Sequence, residues 1–308
     1  MKALIIGYGS IGQRHARLLG EMKAEVAVVS RRDVAALKRY KTIPEALADG
    51  HPDYAVIASA TSEHATDLLA LADAGFKGAV LIEKPLFGAV QNVPTNAFKS
   101  LNVAYNLRFH PVLQAFRQSI GDRPILAFSA HTGQYLPDWR PGTDYRKSYS
   151  AHRATGGGVL RDLSHELDYT MWLCGPWLRV AALGGRFSQL EIDSDDVFSL
   201  LVETENCPAV TVHVNYLQDT PQRELVAITN TGTVRADLIA NTVTTDEGVK
   251  TIDVERDESF LAQHRAILET GEGDVCSAAQ GLEVEMLIAA AEQAARDGRW
   301  VGRDEATP

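Results

Sequence analysis

Short apolar runs dominate the first third of the chain, and they are separated by longer segments that suit helices and turns. Five such runs occur, at residues 3–6, 25–29, 55–59, 79–82 and 102–105. Continuous apolar runs of this length are typical of strands that are buried on both faces of a parallel sheet. After the third run, apolar side chains recur at the spacing of one buried helical face: Ala65, Leu68, Leu69 and Ala72. The pattern predicts an α/β domain with a parallel sheet over residues 1–105.

Beyond residue 105 the hydrophobic pattern changes to the period of two that marks strands with one buried face. Within segment 209–217, Val210, Val212 and Val214 alternate with polar side chains. Four further segments suit strands: 178–190, 197–205, 224–229 and 249–254. Helices are expected in three places: at 110–120, at 159–175 and in the stretch that ends at Gly298. We predict a second domain, 106–308, of the α+β class with a large, mostly antiparallel open sheet.

The most specific motif follows the first strand directly and reads G-x-G-x-x-G, beginning at Gly7. In such a turn Gly7 allows the tight bend, Gly9 lets the backbone approach a pyrophosphate, and Gly12 lets the helix pack on the strand. The backbone amides of Ser10 and Ile11 would open that helix and face the anion. Because the motif stands between a hydrophobic strand and a helix, it predicts a dinucleotide-binding Rossmann domain.

The residues after the second strand bear on the choice of cofactor. An Asp or Glu there accepts a hydrogen bond from the adenosine ribose and favours NAD. This chain instead has Ser30, Arg31 and Arg32 before the first carboxylate, Asp33. Since arginine and serine can donate to a phosphate, NADP is favoured over NAD. The alternatives are that Asp33 reaches the ribose, or that the arginines are solvated and Asp33 caps a helix over residues 34–40.

A lysine stands at the carboxyl end of the strand 79–82, where open α/β sheets bind their ligands. It lies between Glu83 and Pro85, and the proline stiffens the turn that presents Lys84. A lysine that is partly desolvated beside a nicotinamide ring can act as a general base, and its ammonium can polarise a carbonyl in the reverse direction. Glu83 and Lys84 are also candidate cofactor contacts. The structural alternative is a surface ion pair between the two.

The expected helix 159–175 follows three consecutive glycines and places Asp162, His165 and Asp168 on one face. A histidine near a reacting hydroxyl can share or relay its proton, and a carboxylate can set the tautomer of that histidine. Asp162 and His165 are therefore candidate catalytic residues together with Lys84. The alternative is a helix histidine that is merely satisfied by one of the two aspartates.

Four features together resemble the glucose–fructose oxidoreductase/inositol dehydrogenase (Gfo/Idh/MocA) family. They are the terminal GYGSIG, the segment Glu83-Lys84-Pro85, the pair Asn106-x-Arg108, and the helix with Asp162 and His165. The resemblance spans essentially the whole chain. The glycine-rich turn alone is common, whereas the combination of the Glu-Lys-Pro segment with the later helix is specific to the family.

The resemblance implies a Rossmann domain, a substrate-binding and oligomerisation domain, and NAD(P)-dependent chemistry on a sugar or cyclitol hydroxyl or the matching ketone. Lys84 and His165 match the family's catalytic lysine and histidine, and Asp162 matches its helix aspartate. Asn106 and Arg108 become candidate substrate contacts. The open C-terminal sheet implies a homodimer or homotetramer. Many members have three residues between the aspartate and the histidine, whereas this chain has two, so His165 is expected to sit differently.

Residues 133–149 form a long irregular loop that is rich in aromatic and basic side chains. Loops of this length are usually functional or disordered, and the aromatic content argues against disorder. Aromatic rings stack on sugars and arginines hold carboxylates or phosphates. The loop resembles that of family members in gene clusters for surface polysaccharides and sialic-acid-like sugars. It supplies candidate substrate contacts, with a subunit-interface arm as an equal alternative: Tyr135, Trp139, Arg140, Tyr145, Arg146 and Tyr149.

The bulk composition of the chain limits the other classes of function. A formal charge of −10 argues against a general nucleic-acid binder but permits a local basic pocket for an anionic ligand. No apolar run approaches the length that spans a bilayer, so no membrane partner is expected. The three cysteines are widely spaced, so neither a metal site nor a disulfide framework is expected. Because the first strand occupies the place of a signal peptide, the cytoplasm is the expected location.

The sequence therefore predicts a cytoplasmic, NADP-preferring oxidoreductase that acts on a secondary alcohol or ketone of a sugar-like small molecule, acidic or nucleotide-linked. Two rivals stay open. One is an enzyme that retains its cofactor and uses transient oxidation for elimination, epimerisation or glycoside cleavage. The other is a cofactor-binding sensor or partner subunit without turnover.

Overall fold

The computed structural model describes residues 1–88, 90, 95–269 and 273–306. The chain forms two compact units. The first comprises Met1–Asn106 and Asp257–Leu282, and the second comprises Leu107–Arg256 and Glu283–Pro308. The single boundary that the sequence indicates, between residues 105 and 106, lies one residue from the first break. It does not include the return of the segment Asp257–Leu282 to the first unit.

The sheet of the first unit consists, among the described residues, of β1 (Lys2–Ile6), β2 (Glu25–Val29), β3 (Lys38–Tyr40), β4 (Tyr54–Ile57), β5 (Ala79–Ile82), β6 (Ser100–Val103) and β15 (Cys276–Ser277). Its strand order is β15-β6-β5-β4-β1-β2-β3. The strands β1 to β6 are parallel, and the short β15 pairs antiparallel to β6. The parallel order 3-2-1-4-5-6 is that of a dinucleotide-binding fold, whose ligands bind at the carboxyl ends of the strands.

Four helices accompany this sheet within the described part of the chain: α1 (Ser10–Glu21), α2 (Ile43–Asp49), α3 (His64–Asp73) and α7 (Glu258–Glu269). The returning helix α7 packs on α1. Arg14 of α1 pairs with Asp257 at 3.3 Å, and its guanidinium lies 4.8 Å from the ring centroid of Phe260. Asn106 donates a 2.8 Å hydrogen bond to Ser259. These contacts and the β15–β6 pairing explain why the segment belongs to the first unit.

The second unit is built on a larger sheet with the described strands β7 (Ile125–Gly133), β8 (Trp177–Gly185), β9 (Val197–Thr204), β10 (Val210–Asn215), β11 (Gln222–Thr229), β12 (Gly232–Asp237), β13 (Thr242–Thr245), β14 (Gly248–Thr251) and β16 (Val301–Gly302). Its order is β14-β13-β12-β11-β7-β10-β9-β8-β16. All neighbours are antiparallel except β7 and β10. The mostly antiparallel sheet that the sequence predicts is confirmed. The buried Val210, Val212 and Val214 of β10 show its expected period of two.

The described helices of the second unit are α4 (Pro111–Ile120), α5 (Val159–Asp162), α6 (His165–Cys174) and α8 (Ala278–Asp297), whose first turn falls within the range of the first unit. Of these, α4, α5 and α6 pack on the sheet. The prediction of one helix over 159–175 is wrong. The Leu163 amide still donates to the Val159 carbonyl at 2.9 Å, but the Glu166 amide donates to the Leu163 carbonyl at 3.3 Å. This shift to i→i+3 bonding separates α5 from α6.

Several predicted strands extend beyond the observed ones, including those at 178–190 and 249–254. Strand β8 ends at Gly185, whose φ of +144° leaves the extended region, and β14 ends at Thr251. In the described ranges no helix is both long enough and apolar enough to cross a membrane.

Candidate active site

The turn between β1 and α1 requires glycine at the first and third positions of its motif and leaves space at the second. Gly7 has φ +91°, and a Cβ there would lie 2.5 Å from the Ser59 nitrogen. A Cβ on Gly12 would lie 2.2 Å from the Gly7 carbonyl oxygen. A Cβ on Gly9, in contrast, would meet no atom within 4 Å and would project into open space at the N-terminus of α1. These residues fit a dinucleotide whose phosphates approach Gly9 and the first amides of α1, those of Ser10 and Ile11.

The end of β2 carries a cluster of arginines around Ser30. The buried Ser30 hydroxyl accepts from the Arg32 amide at 3.0 Å, and Arg39 of β3 donates to the Ser30 carbonyl at 3.3 Å. Arg31 is mostly exposed and pairs with Glu63 at 2.8 Å. The Asp33 side chain is fully exposed and lies 3.5 Å from Arg39.

The alternative of a helix over residues 34–40, capped by Asp33, is wrong. The chain passes from a bend directly into β3, which pairs parallel with β2. The pairing places Arg39 opposite Val28, one position before the end of β2. Arg39 therefore joins Arg31 and Arg32 at the point where a Rossmann sheet meets the adenosine ribose.

Lys84 follows β5 at the same carboxyl edge, and its bond to Pro85 is cis. Its backbone amide donates to Glu83 Oε2 at 3.2 Å, and Glu83 Oε1 lies 2.7 Å from His15 Nε2. On the other side of Lys84, the buried His64 places its Nδ1 3.2 Å from the Pro85 carbonyl oxygen. Burial lowers the pKa of His64. The backbone around Lys84 is therefore held on both sides by histidines.

Asp162, at the end of α5, is buried and tied to two tyrosines. The Tyr216 hydroxyl donates to Asp162 Oδ2 at 2.6 Å, and the Tyr149 hydroxyl also bonds this carboxylate. Burial, followed by the charge of Asp162, raises the pKa of Tyr216 well above its usual value, so Tyr216 stays a donor. His165 opens α6, beyond the break after α5. Asp162 and His165 therefore lie on two successive helices instead of one face.

Glu166, the neighbour of His165, anchors the start of α6. It is fully buried and accepts from Thr132 at 2.8 Å and from Arg223 at 2.9 Å. Removing one partner of a buried pair of this kind leaves an uncompensated charge. The Glu166–Arg223 pair thus fixes the helix end that presents His165.

Two of the candidate substrate contacts are buried. Arg108 pairs with Asp168 through bonds of 2.7 and 3.0 Å, and both side chains are almost completely buried. Asn106 is buried against Ser259. The observed partners of both residues suit a structural role.

The loop 133–149 continues from β7 through two short 3₁₀ turns, Leu136–Asp138 and Tyr145–Lys147. Side chains of the loop and of Ser150 line a small cavity that is open to solvent. Arg146 is paired with Asp144 at 2.8 Å and with Glu191 at 3.1 Å. These carboxylates would compete with an anionic substrate for this guanidinium.

Other residues of the same loop line the cavity, and Tyr149, at the end of the loop, contacts Asp162. Trp139 and Tyr145 line the cavity together with Arg140, whose guanidinium lies 5.9 Å from the Tyr149 ring centroid. In the described part of the chain no carboxylate pairs with Arg140. Tyr135 is exposed at the start of the loop. Arg140 is therefore the better placed cation for an anionic ligand.

Sequence reasoning missed two residues of this site, His15 and Arg39. His15 lies on a helix where a buried histidine resembles any other polar residue. Arg39 lies on a strand too short to show a pattern. The arginine-rich composition around residues 31–39 is the one signal that could have pointed to Arg39.

Comparison with known families gives two matches that together span most of the chain. The family model described as "Oxidoreductase family, NAD-binding Rossmann fold" matches residues 1–98. The model of the GFO/IDH/MocA C-terminal domain matches residues 119–235. No curated protein sequence matches the chain.

Solved structures with the same fold cover nearly all of the chain. An oxidoreductase from Agrobacterium radiobacter, in complex with NAD⁺, L-tartaric acid and magnesium, has a TM-score of 0.83 and 21% identity, and the match covers 100% of this chain and 99% of that one. The WlbA dehydrogenase from Bordetella pertussis, in complex with NADH and UDP-GlcNAcA, has a TM-score of 0.79 and 19% identity, with 98% of each chain covered. At this level of identity the likeness shows the fold.

Proposed function

Because the chain belongs to the Gfo/Idh/MocA family of oxidoreductases, which bind NAD in a Rossmann domain, we propose that it transfers a hydride between NADP and a secondary alcohol or ketone of an acidic, nucleotide-linked sugar. The observation that carries the proposal is within the first unit. The glycine turn at Gly9 and the fixed Lys84 lie at the carboxyl edge of one parallel sheet, where such folds bind ligands. The complex of the WlbA structure with UDP-GlcNAcA supports the class of substrate.

Lys84 is the proposed proton acceptor. The bound nicotinamide supplies the hydride acceptor or donor. Lys84 takes the hydroxyl proton of the substrate during oxidation, and its ammonium polarises the carbonyl oxygen during reduction. His165 is the proposed relay or orienting residue, and Asp162, held by Tyr216, is its proposed carboxylate partner. Each role is matched to the family motif residue by residue.

The arginines around Ser30 support NADP as the preferred cofactor. Arg31, Arg32 and Arg39 stand at or beside the end of β2, where NAD enzymes place a carboxylate, and the Asp33 side chain is turned out to solvent. Ion pairs with Glu63 and Asp33 satisfy part of this charge, and a phosphate with two negative charges can displace them. Of the two arginines that form ion pairs, Arg31 and Arg39, Arg39 is the less exposed.

Alanine at Arg39 or Arg31 should weaken NADP binding and leave NAD binding almost unchanged. Losing one charge-assisted phosphate contact costs about 1.5–3 kcal/mol, or roughly 10- to 100-fold in Kd. Fluorescence titration of NADPH and NADH into each variant measures this. Arg235→Ala, an exposed arginine of β12, controls for the loss of charge. A wild type that prefers NADH, or equal losses for both cofactors, would contradict the preference.

Arg140 is the proposed partner for the negative charge of the substrate, and the aromatic side chains Tyr135, Trp139, Tyr145 and Tyr149 are the proposed walls. Arg140→Ala should raise KM about 10-fold for a sugar-nucleotide acid and much less for its neutral analogue, since one exposed ionic contact is lost. Arg146→Ala is the matched control, because its guanidinium is already neutralised by Asp144 and Glu191. Steady-state kinetics on both substrates test this. Equal changes for acid and neutral sugar, or a change only in oligomer size, would assign the loop to an interface.

The free face of the large sheet supports self-association. Leu183, Leu201 and Ile228, on β8, β9 and β11, expose between 46% and 75% of their surface. Isolated exposed apolar residues are common, but three of them on the same face of one sheet suit an isologous contact. A homodimer or homotetramer through this face is therefore proposed, and light scattering of the purified chain checks it.

The test of the function is the absorbance of free reduced nicotinamide on mixing the enzyme, NADP⁺ and UDP-GlcNAcA. The control is UDP-GlcNAc, whose sugar lacks the carboxylate. Net formation of NADPH with UDP-GlcNAcA, and not with the control, supports the proposal. Conversion of the sugar, seen by mass spectrometry, without net reduction would favour the retained-cofactor rival. Tight cofactor binding with no conversion of any sugar or polyol would favour a sensor.

A further inference from the structure

Four side chains of the first unit form a hydrogen-bond chain that ends beside Lys84. Glu83 Oε1 lies 2.7 Å from His15 Nε2, and His15 Nδ1 lies 2.9 Å from His264 Nε2. His264 Nδ1 lies 2.9 Å from the Tyr54 hydroxyl. The chain thus joins α1, β4, α7 and the end of β5, and the second oxygen of Glu83 accepts the Lys84 amide.

The direction of donation along this chain follows from its two ends. The oxygens of the Glu83 carboxylate accept, one of them from the Lys84 amide, so His15 Nε2 donates to the other and His15 Nδ1 accepts from His264 Nε2. His264 Nδ1 then accepts from the Tyr54 hydroxyl. The reverse direction would leave that hydroxyl proton without an acceptor, since His264 is the only partner the described residues offer it. Burial lowers the pKa of His264 and raises that of Tyr54, which agrees with a neutral ring and an intact phenol.

The chain is closed at its far end. Tyr54, His264 and His15 have no exposed surface, and only the Glu83 side chain, 13% exposed, reaches solvent. A proton that entered at Glu83 could not leave at Tyr54. The hydrogen-bond chain therefore does not conduct protons, and the role left to it is to orient the Glu83 carboxylate.

We propose that His15 is a positioning residue for Lys84, with His264 and Tyr54 fixing the tautomer in which His15 donates to Glu83. The carboxylate, held through one oxygen by His15, holds the Lys84 amide through the other. The catalytic consequence rests on the proposed role of Lys84. A reacting group displaced by about 1 Å can lose on the order of 10²-fold in rate.

Hydrogen exchange of the Lys84 amide tests the positioning directly in the full chain without substrate. His15→Leu removes the donor to Glu83, whereas the amide of His15→Gln can donate to Glu83 and accept from His264. We expect the Lys84 amide to exchange at least ~10-fold faster in the leucine variant and near the wild-type rate in the glutamine variant. The Ala104 amide, bonded to the Ile82 carbonyl at 2.8 Å, is the internal control.

An unchanged Lys84 exchange rate in His15→Leu, or an equal rise at Ala104, would overturn the proposal, because the first shows no positioning and the second shows general loosening. Should His15→Leu fail to fold, Tyr54→Phe removes one buried hydroxyl and keeps the ring. We expect about threefold faster Lys84 exchange there, with Ala104 unchanged, because the tautomer of His15 is then less strictly fixed. No change at Lys84 in Tyr54→Phe would again overturn it.

Turnover separates this inference from the proposed function. With a substrate that the wild type converts, His15→Leu should lower kcat about 10- to 100-fold without changing the KM of the cofactor, and His15→Gln should recover most of it. Wild-type kcat in His15→Leu would contradict the inference alone. A wild type that converts no substrate would contradict the proposed function, while the exchange measurement still decides the role of His15.

Discussion

Replacing Lys84 with methionine is expected to lower kcat about 10²–10⁴-fold while cofactor affinity is retained. Methionine keeps the approximate length of the apolar stem but removes both the base and the polarising charge. The cofactor should still bind, because its pyrophosphate is proposed to lie at Gly9 and the start of α1. The measurement is kcat at saturating cofactor, together with a fluorescence titration of NADPH.

The variant His165→Ala provides the comparison. A smaller loss than in Lys84→Met is expected, because a relay or orienting residue contributes less than the base. A larger loss in His165→Ala would exchange the two roles. Turnover close to wild type in Lys84→Met would contradict the assignment of the base.

Valine at Gly9 is expected to weaken the binding of both NADPH and NADH by about 10²–10⁴-fold and to change stability little. Gly9 has φ −76° and ψ −169°, which valine adopts readily, and its Cβ would meet no protein atom within 4 Å. The added methyl groups would instead occupy the path of the pyrophosphate. Losing two charge-assisted amide contacts costs on the order of 3–6 kcal/mol.

Gly20→Val is the matched control for this substitution. Gly20 lies near the end of α1, and a Cβ there also meets nothing within 4 Å. We expect unchanged cofactor affinity in this variant. Calorimetric titration of both variants, with thermal unfolding as the check on folding, decides the result. Retained affinity in Gly9→Val would show that the phosphates do not pass over this turn.

The parallel sheet could be predicted because its strands are buried on both faces and therefore appear as unbroken apolar runs. Strands β1, β2 and β5 agree with the predicted ranges to within one residue. The glycine turn is equally predictable. A Cβ on Gly7 or Gly12 would lie only 2.5 or 2.2 Å from a backbone atom, so no residue with a side chain fits at either position. In both cases a local physical requirement leaves a local mark in the sequence.

Features that depend on contacts between distant segments could not be predicted, because no local pattern in the sequence indicates them. The break between α5 and α6 does not interrupt the apolar pattern around Leu163, so one continuous helix was expected. The partnership of His15 with His264 joins residues that are 249 positions apart. The engagement of Arg146 with Glu191 likewise depends on a segment 45 positions away. The sequence alone makes Arg146 a candidate contact for an anionic substrate. Only the structure shows that Asp144 and Glu191 already pair with its guanidinium.

The most direct test of hydride transfer uses UDP-GlcNAcA that carries deuterium at the carbinol carbons of the sugar ring. The sugar is incubated with the enzyme and NADP⁺, and the free reduced cofactor is then analysed by mass spectrometry. The proposed function predicts that deuterium appears in free NADPH and that Lys84→Met lowers the rate of its appearance about 10²–10⁴-fold. Conversion of the sugar with no deuterium in the released cofactor, or no conversion at all, would contradict it.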